Sequence, residues 1–199
     1  MITAPDRLTV VAATGLEARA AKAALGNRAR VMQAGIALRG LRGDPGPVVI
    51  SCGLAGGLRD DLPTGTALIP RDVLRPDGTM LHCDDALVDA LLSAARAAGC
   101  EPIQAPLLTT ARIVRGRDRM RWAQQGYAGA DMETGLLRAP RVACVRVILD
   151  TPVHEFSAAW ENPAMVIFRP DAWLDIPFLA REAPRCAALA ARIIADALP

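Results

Sequence analysis

The chain has 199 residues, 52% of them hydrophobic and only 4% aromatic, with 23 basic against 21 acidic side chains. A chain of this length suits one domain that buries roughly 70% of the surface its unfolded form exposes, and the composition excludes intrinsic disorder. The near-cancelling charge carries no overall footprint of the kind a nucleic-acid binder needs, so a small-molecule ligand is expected.

Leu8 to Ala13 is a short apolar run ending at Thr14-Gly15, and Leu16 to Leu25 is rich in helix formers and stops at Gly26, which predicts strand, tight turn and helix. Pro47 to Cys52 is a second strand that runs into a turn at Gly53-Leu-Ala-Gly-Gly57, and Ala67 to Pro70 is a third. Asp84 to Ala98 has helical spacing through Leu87, Leu91, Leu92 and Ala95, with acids at its start and Gly99 at its end. Arg112, Arg115, Arg117, Arg119 and Arg121 form a basic run that either faces phosphates or, the more ordinary case, covers a solvated surface.

Arg141 to Leu149 is the clearest strand, nearly all apolar and therefore buried on both faces. Pro152 to Pro177 is irregular and mixes prolines with Phe156, Trp160, Phe168 and Trp173, as a lid over a pocket or a surface crossover would. Phe178 to Leu198 is a helical finish in which Pro184 marks a start or kink. Strands alternating with helices predict an α/β fold, a mostly parallel or mixed central sheet flanked by helices, with no linker that divides residues 1 to 199.

Five dispersed cysteines without a C-x-x-C pair fit reduced thiols and a cytoplasmic location, and two histidines are too few for a zinc site or a Ser-His-Asp triad. The apolar run after Asp6 and Arg7 is too short for a signal segment, and no stretch approaches the ~20 apolar residues of a membrane span.

Ligands of open α/β sheets bind past the carboxyl ends of the strands. Carboxylates stand at three such places: Glu17 after the first strand, Asp131 and Glu133 in Gly129-Ala-Asp-Met-Glu133, and Asp150 at the tip of the buried strand. Singly, each has an ordinary role as a helix-start acid or cap. The Gly53 to Gly57 stretch either turns backbone N–H groups toward an anion or merely permits tight packing.

Together these residues resemble the nucleoside phosphorylase and nucleosidase superfamily. Val11-Ala-Ala-Thr-Gly-Leu-Glu17, Cys52-Gly-Leu-Ala-Gly-Gly-Leu58, Ala130-Asp-Met-Glu133 and Val145-Arg-Val-Ile-Leu-Asp150 stand in the family's order and span most of the chain. The Thr-Gly-Leu opening and the Gly-rich stretch look closest to the hopanoid-associated phosphorylase branch, whose substrate is taken to be an adenosylated hopane. The resemblance implies a three-layer sandwich that cleaves the N-glycosidic bond of a purine nucleoside, a homo-oligomer, phosphate as co-substrate, and no metal or organic cofactor.

It also implies roles. Asp150 resembles the acid that protonates or hydrogen-bonds the departing base, and its place at the end of an apolar strand is expected to raise its pKa by desolvation. Glu133 resembles the residue that grips the ribose hydroxyls, with Met132 on the sugar face. Glu17 resembles the carboxylate that activates water in the nucleosidases, and in a phosphorylase it positions the nucleophile or a hydroxyl. Gly15, Gly53, Ala55 and Gly56 fall on the phosphate or nucleophile side, and Ile113 and Val114 fall where the base lies.

Two positions depart from the pattern: Leu54 stands where the family has a serine after the first glycine, and Leu149 where a serine precedes the acid. The nucleophile is thereby open. Phosphorolysis is the first expectation, hydrolysis by Glu17 and water the second, and a nucleoside-binding member without turnover the third.

Overall fold

The computed structural model describes residues 8–157, 160 and 173–198. Strand β1 (Leu8–Ala12) leads into helix α1 (Gly15–Leu25), strand β2 (Arg30–Gln33) and the long strand β3 (Val48–Gly57). Every residue of β1 is buried, as its apolar run demands. Helix α1 starts with a capping box: Thr14 Oγ1 accepts from the Glu17 N–H while the Glu17 side chain accepts from the Thr14 N–H. Gly26, at positive φ, takes up the chain reversal at its end.

The remaining elements are β4 (Ala67–Leu68), β5 (Asp72–Leu74), β6 (Met80–His82), α2 (Asp85–Ala97), β7 (Leu107–Thr109), α3 (Arg117–Gln124), β8 (Gly129–Asp131), β9 (Arg141–Ile148) and α4 (Ile176–Ala197). Among the described residues they form one mixed sheet of nine strands with four helices against it. One part of the sheet runs β2-β1-β3-β9, all parallel, with β4 antiparallel on β9. The other continues from the far end of β3, where Gly56 and Gly57 pair antiparallel with β8, and passes through β7 and β5 to β6.

Strand β3 therefore belongs to both parts, and this corrects one sequence expectation. Residues Gly53 to Gly57 are not a turn after a strand but the strand itself. Its glycines serve close approach: a Cβ on Gly57 would stand 2.9 Å from Ile148 Cγ2, and one on Gly56 3.0 Å from Asp150 Oδ1.

Helix α4 buries Ala183, Ala187, Ala190, Ala191 and Ile194 along one stripe, and the small residues let it lie against α1, α2, β3 and β9. It runs unbroken through Pro184, which neither starts nor ends it, and Pro177 sits in its first turn. Short elements that the sequence does not announce are β2, β5, β6, β7, β8 and α3. Of the aromatic, proline-rich segment, Pro163, Phe168 and Pro170 lie outside the described residues. Among the described residues no helix is long and apolar enough to cross a membrane.

Candidate active site

A cavity of about 210 Å³ opens where β1, β3, β8 and β9 end. Glu17, Glu133 and Asp150, from three distant stretches, all line it, and so do Met132, Ala55, Gly56, Ile113 and Val114. Gly15 and Gly53 do not reach its wall. Gly15 is the first residue of α1 and faces Gln33, while Gly53 lies beneath other side chains.

Glu17 is 4% exposed and held at both oxygens. Its Oε2 accepts from Thr14 N at 2.7 Å and Thr14 Oγ1 at 2.8 Å, and its Oε1 accepts from Leu54 N at 2.9 Å. Each carboxylate oxygen has two lone pairs, so Oε1 keeps one direction for a further donor. The N–H of Leu54, which a Gly-rich turn would offer an anion, is thus already spent on Glu17.

Arg146, on β9, was not singled out by sequence reasoning although it stands inside the Val145 to Asp150 motif. It is 1% exposed. Its Nε donates to Asp131 Oδ2 at 2.9 Å, and its Nη2 donates to Ser51 Oγ at 2.7 Å and Thr134 Oγ1 at 2.9 Å. Asp131 also accepts from Thr109 Oγ1 at 2.5 Å and from Thr134. Burial opposes the Arg146 charge, but Asp131, Glu133 and Glu17 around it outweigh that and hold its pKa above the usual arginine value. A Cβ on Gly53 would lie 2.3 Å from Glu17 Oε1 and 2.5 Å from Arg146 Nη1, so carboxylate and guanidinium meet over a residue that has to be glycine.

Glu133 follows β8, and its Oε1 accepts from Ala37 N at 3.0 Å. Burial pushes its carboxyl up to about 7; Arg146 pulls the other way, and Asp131 adds repulsion. The donor sits in strained backbone, because Ala37 and Leu38 have φ of 53° and 55°, where non-glycine residues seldom go. Nothing in the residue types of Ala37 or Leu38 announces this. Ile36, next to them, lines the cavity.

Asp150 is 7% exposed, and burial raises its pKa as the sequence leads one to expect, against the pull of Arg119. Arg119 is the second residue that sequence reasoning missed. The basic run containing it reads as facing phosphates or, the more ordinary case, as solvated surface, yet Arg119 is 2% exposed and its Nη2 is ion-paired with Asp150 Oδ2. Its spacing in α3 held no signal, since its burial depends on a partner 31 residues away.

Leu54 and Leu149 both line the cavity, and Phe156 closes another part of its wall. Among the described residues no three His, Cys, Asp or Glu side chains are placed so that they could hold a metal ion.

No family model matches the chain, and neither does any curated protein. Solved structures do. The 5'-methylthioadenosine/S-adenosylhomocysteine nucleosidase of Helicobacter pylori, crystallised with a nucleoside analogue, is 11% identical over 96% of this chain and 97% of that one, at a TM-score of 0.71. The corresponding nucleosidase of Neisseria meningitidis, in complex with methylthio-immucillin-A, is 18% identical over 96% and 97%, also at 0.71. Futalosine hydrolase of Helicobacter pylori strain 26695 is 10% identical over 96% of each chain, again at 0.71. These neighbours belong to the nucleoside phosphorylase and nucleosidase superfamily, and their fold is the fold of this chain.

Proposed function

We propose that the chain hydrolyses the N-glycosidic bond of an adenine nucleoside whose ribose carries an apolar substituent. The observation that carries this reading is the meeting of Glu17, Glu133 and Asp150 on one cavity. Cleavage leaves positive charge on the sugar and negative charge on the departing base, so both ends need neutralising groups in place beforehand. Asp150 gives its proton to the base as the bond to the anomeric carbon breaks. Glu133 accepts from the ribose hydroxyls in place of the Ala37 N–H and faces the growing sugar cation. Glu17 takes a proton from water, whose oxygen bonds to the anomeric carbon, so the products are adenine and the free sugar.

Water is favoured over phosphate on electrostatic grounds. Among the described residues the nucleophile end holds Glu17, Asp131 and Glu133 against one buried cation, Arg146, which is already bound to Asp131. A phosphate dianion entering there meets net repulsion at low dielectric, whereas water does not. Leu54, in the place of a hydroxyl, offers an anion nothing. The names of the neighbours, nucleosidases and a hydrolase, support the same choice. Ile36, Leu54 and Phe156 on the wall suit an apolar substituent, such as the hopane of an adenosylated hopane. The homo-oligomer implied by the resemblance is part of the proposal, and Trp173, Leu174 and Ile176 leave apolar surface exposed at the start of α4 for it.

Adenine release from 5'-methylthioadenosine and from adenosine, with nucleoside binding by calorimetry, tests the reading. Asp150→Asn is expected to lower kcat by about 10²- to 10⁴-fold while keeping nucleoside affinity within a few-fold. Turnover by Asp150→Asn at the parent rate sinks it. Binding without release by the parent chain makes it a non-catalytic nucleoside binder.

A further inference from the structure

Arg119, together with Leu58, stands between two cavities. On one side is the cavity that holds Asp150; on the other is a second hollow of about 570 Å³, bounded by Arg59, Asp60, Asp61 and Glu155. The guanidinium contacts carboxylates on both sides. Its Nη2 pairs with Asp150 Oδ2, and its Nε lies 3.1 Å from Glu155 Oε1.

The backbone fixes it between them. Nε donates to Val114 O at 2.9 Å and Nη1 to Gly57 O at 2.6 Å. Gly57 N in turn donates to Asp150 O at 2.8 Å, so strand β3 grips both partners of the ion pair. Glu155 Oε1 also accepts from Gly116 N at 2.7 Å, immediately before α3. A buried arginine with four such anchors has one orientation, and its carboxylate partner inherits it.

We infer that Arg119 is the positioning residue of the acid: it orients the Asp150 carboxyl toward the cavity and shares its charge with Glu155, so that the Arg119–Glu155 pair tunes proton donation by Asp150. This rests on the reading of Asp150 as the acid. A guanidinium on Asp150 favours the carboxylate, which cannot donate a proton, and Glu155 offsets that by repelling Asp150 and drawing on the same guanidinium. Asp150 faces Arg119 from α3 and Glu155 from the segment after β9. Glu17, Asp131, Glu133 and Arg112 lie around its own cavity, and Arg59, Asp60 and Asp61 lie beyond Arg119.

The test is the pH profile of kcat/KM for adenine release from 5'-methylthioadenosine, with the pH dependence of adenine affinity measured alongside. An essential acid sets the alkaline limb. Arg119→Met is expected to move that limb up by about one to three pH units, the effect of losing an adjacent opposite charge. It is also expected to lower kcat by roughly 10²-fold through misplacement, with KM changed less than kcat. Glu155→Gln is expected to move the limb the other way, to lower pH, and Arg119→Lys to bring it back toward the parent position.

Opposed shifts from two neighbouring residues are not what a merely structural arginine gives. If both variants keep the parent limb and the parent affinity profile, the inference is overturned while the nucleosidase reading stands. If the parent chain releases no adenine, that reading falls, and the opposed shifts are still read in adenine affinity. Should Arg119→Met fail to fold, Arg119→Lys and Glu155→Gln decide the matter, and an unmoved limb in Glu155→Gln contradicts it.

Discussion

At Glu133 the demands of folding conflict with the ribose-binding role proposed for it. Its carboxyl titrates near 7 in the folded chain against an ordinary 4.5, and burial is the main cause. Between these values the folded chain binds more protons at this site than the unfolded chain does, so the contribution of Glu133 to stability declines as pH rises from about 4.5 to about 7. The penalty above that window is on the order of 3 kcal/mol. Glu133→Gln removes the charge and keeps an oxygen for the Ala37 N–H. It is therefore expected to raise the melting temperature at pH 8 and to change it little at pH 5, while kcat/KM falls because the ribose loses a charged acceptor. A melting temperature at pH 8 no higher than the parent's contradicts this assignment of the penalty. In the proposed role the same titration places an acid limb near pH 7 in the kcat/KM of the parent chain, since only the carboxylate offers the ribose both oxygens as acceptors and the sugar cation a negative charge. Glu133 and Asp150 were legible in the sequence because each stands at a strand end in a recognisable segment. Arg119 was not, because a buried ion pair across 31 residues leaves no local trace.

Among the elements, the end of β3 matters most. Its glycines read as a turn because glycine within a run of small residues signals flexibility, yet here they mark where side chains from α1 and β9 press onto a strand. Gly53→Ala puts a methyl group 2.3 Å from Glu17 Oε1 and 2.5 Å from Arg146 Nη1. Overpacking of this kind typically costs about 1–3 kcal/mol. Because the Glu17 carboxylate must also leave the Leu54 N–H, adenine release is expected to fall by roughly 10²-fold or more, the usual penalty for a misplaced catalytic group. Urea unfolding and turnover of Gly53→Ala check both effects, and an active, equally stable variant contradicts the packing described. The long apolar elements β1, β3, β9 and α2 follow from periodicity and capping residues. Three-residue strands such as β5, β7 and β8 are shorter than any pattern periodicity can register, and pairing across the sheet alone makes them strands.

For the molecule as a whole, the decisive feature is that one strand serves two parts of a sheet. Beyond the end of its pairing with β1, β3 takes up β8 while staying bonded to the chain after β9, and α1 and the segments after β8 and β9 bring Glu17, Glu133 and Asp150 to one cavity there. The α/β class could be read from alternating elements, and the ordered segments pointed to the superfamily fold that the solved structures share. The sharing of β3 could not be read, because it depends on short strands distant in sequence.

The choice of water as nucleophile can be put to one direct measurement. The chain is incubated with 5'-methylthioadenosine in H₂¹⁸O buffer free of phosphate, then with phosphate added, and the sugar product is weighed by mass spectrometry. The expected result is a free sugar carrying ¹⁸O at its anomeric carbon, formed at a rate that phosphate does not raise. Adenine release that requires phosphate and yields a sugar 1-phosphate contradicts the account, and so does the absence of any release.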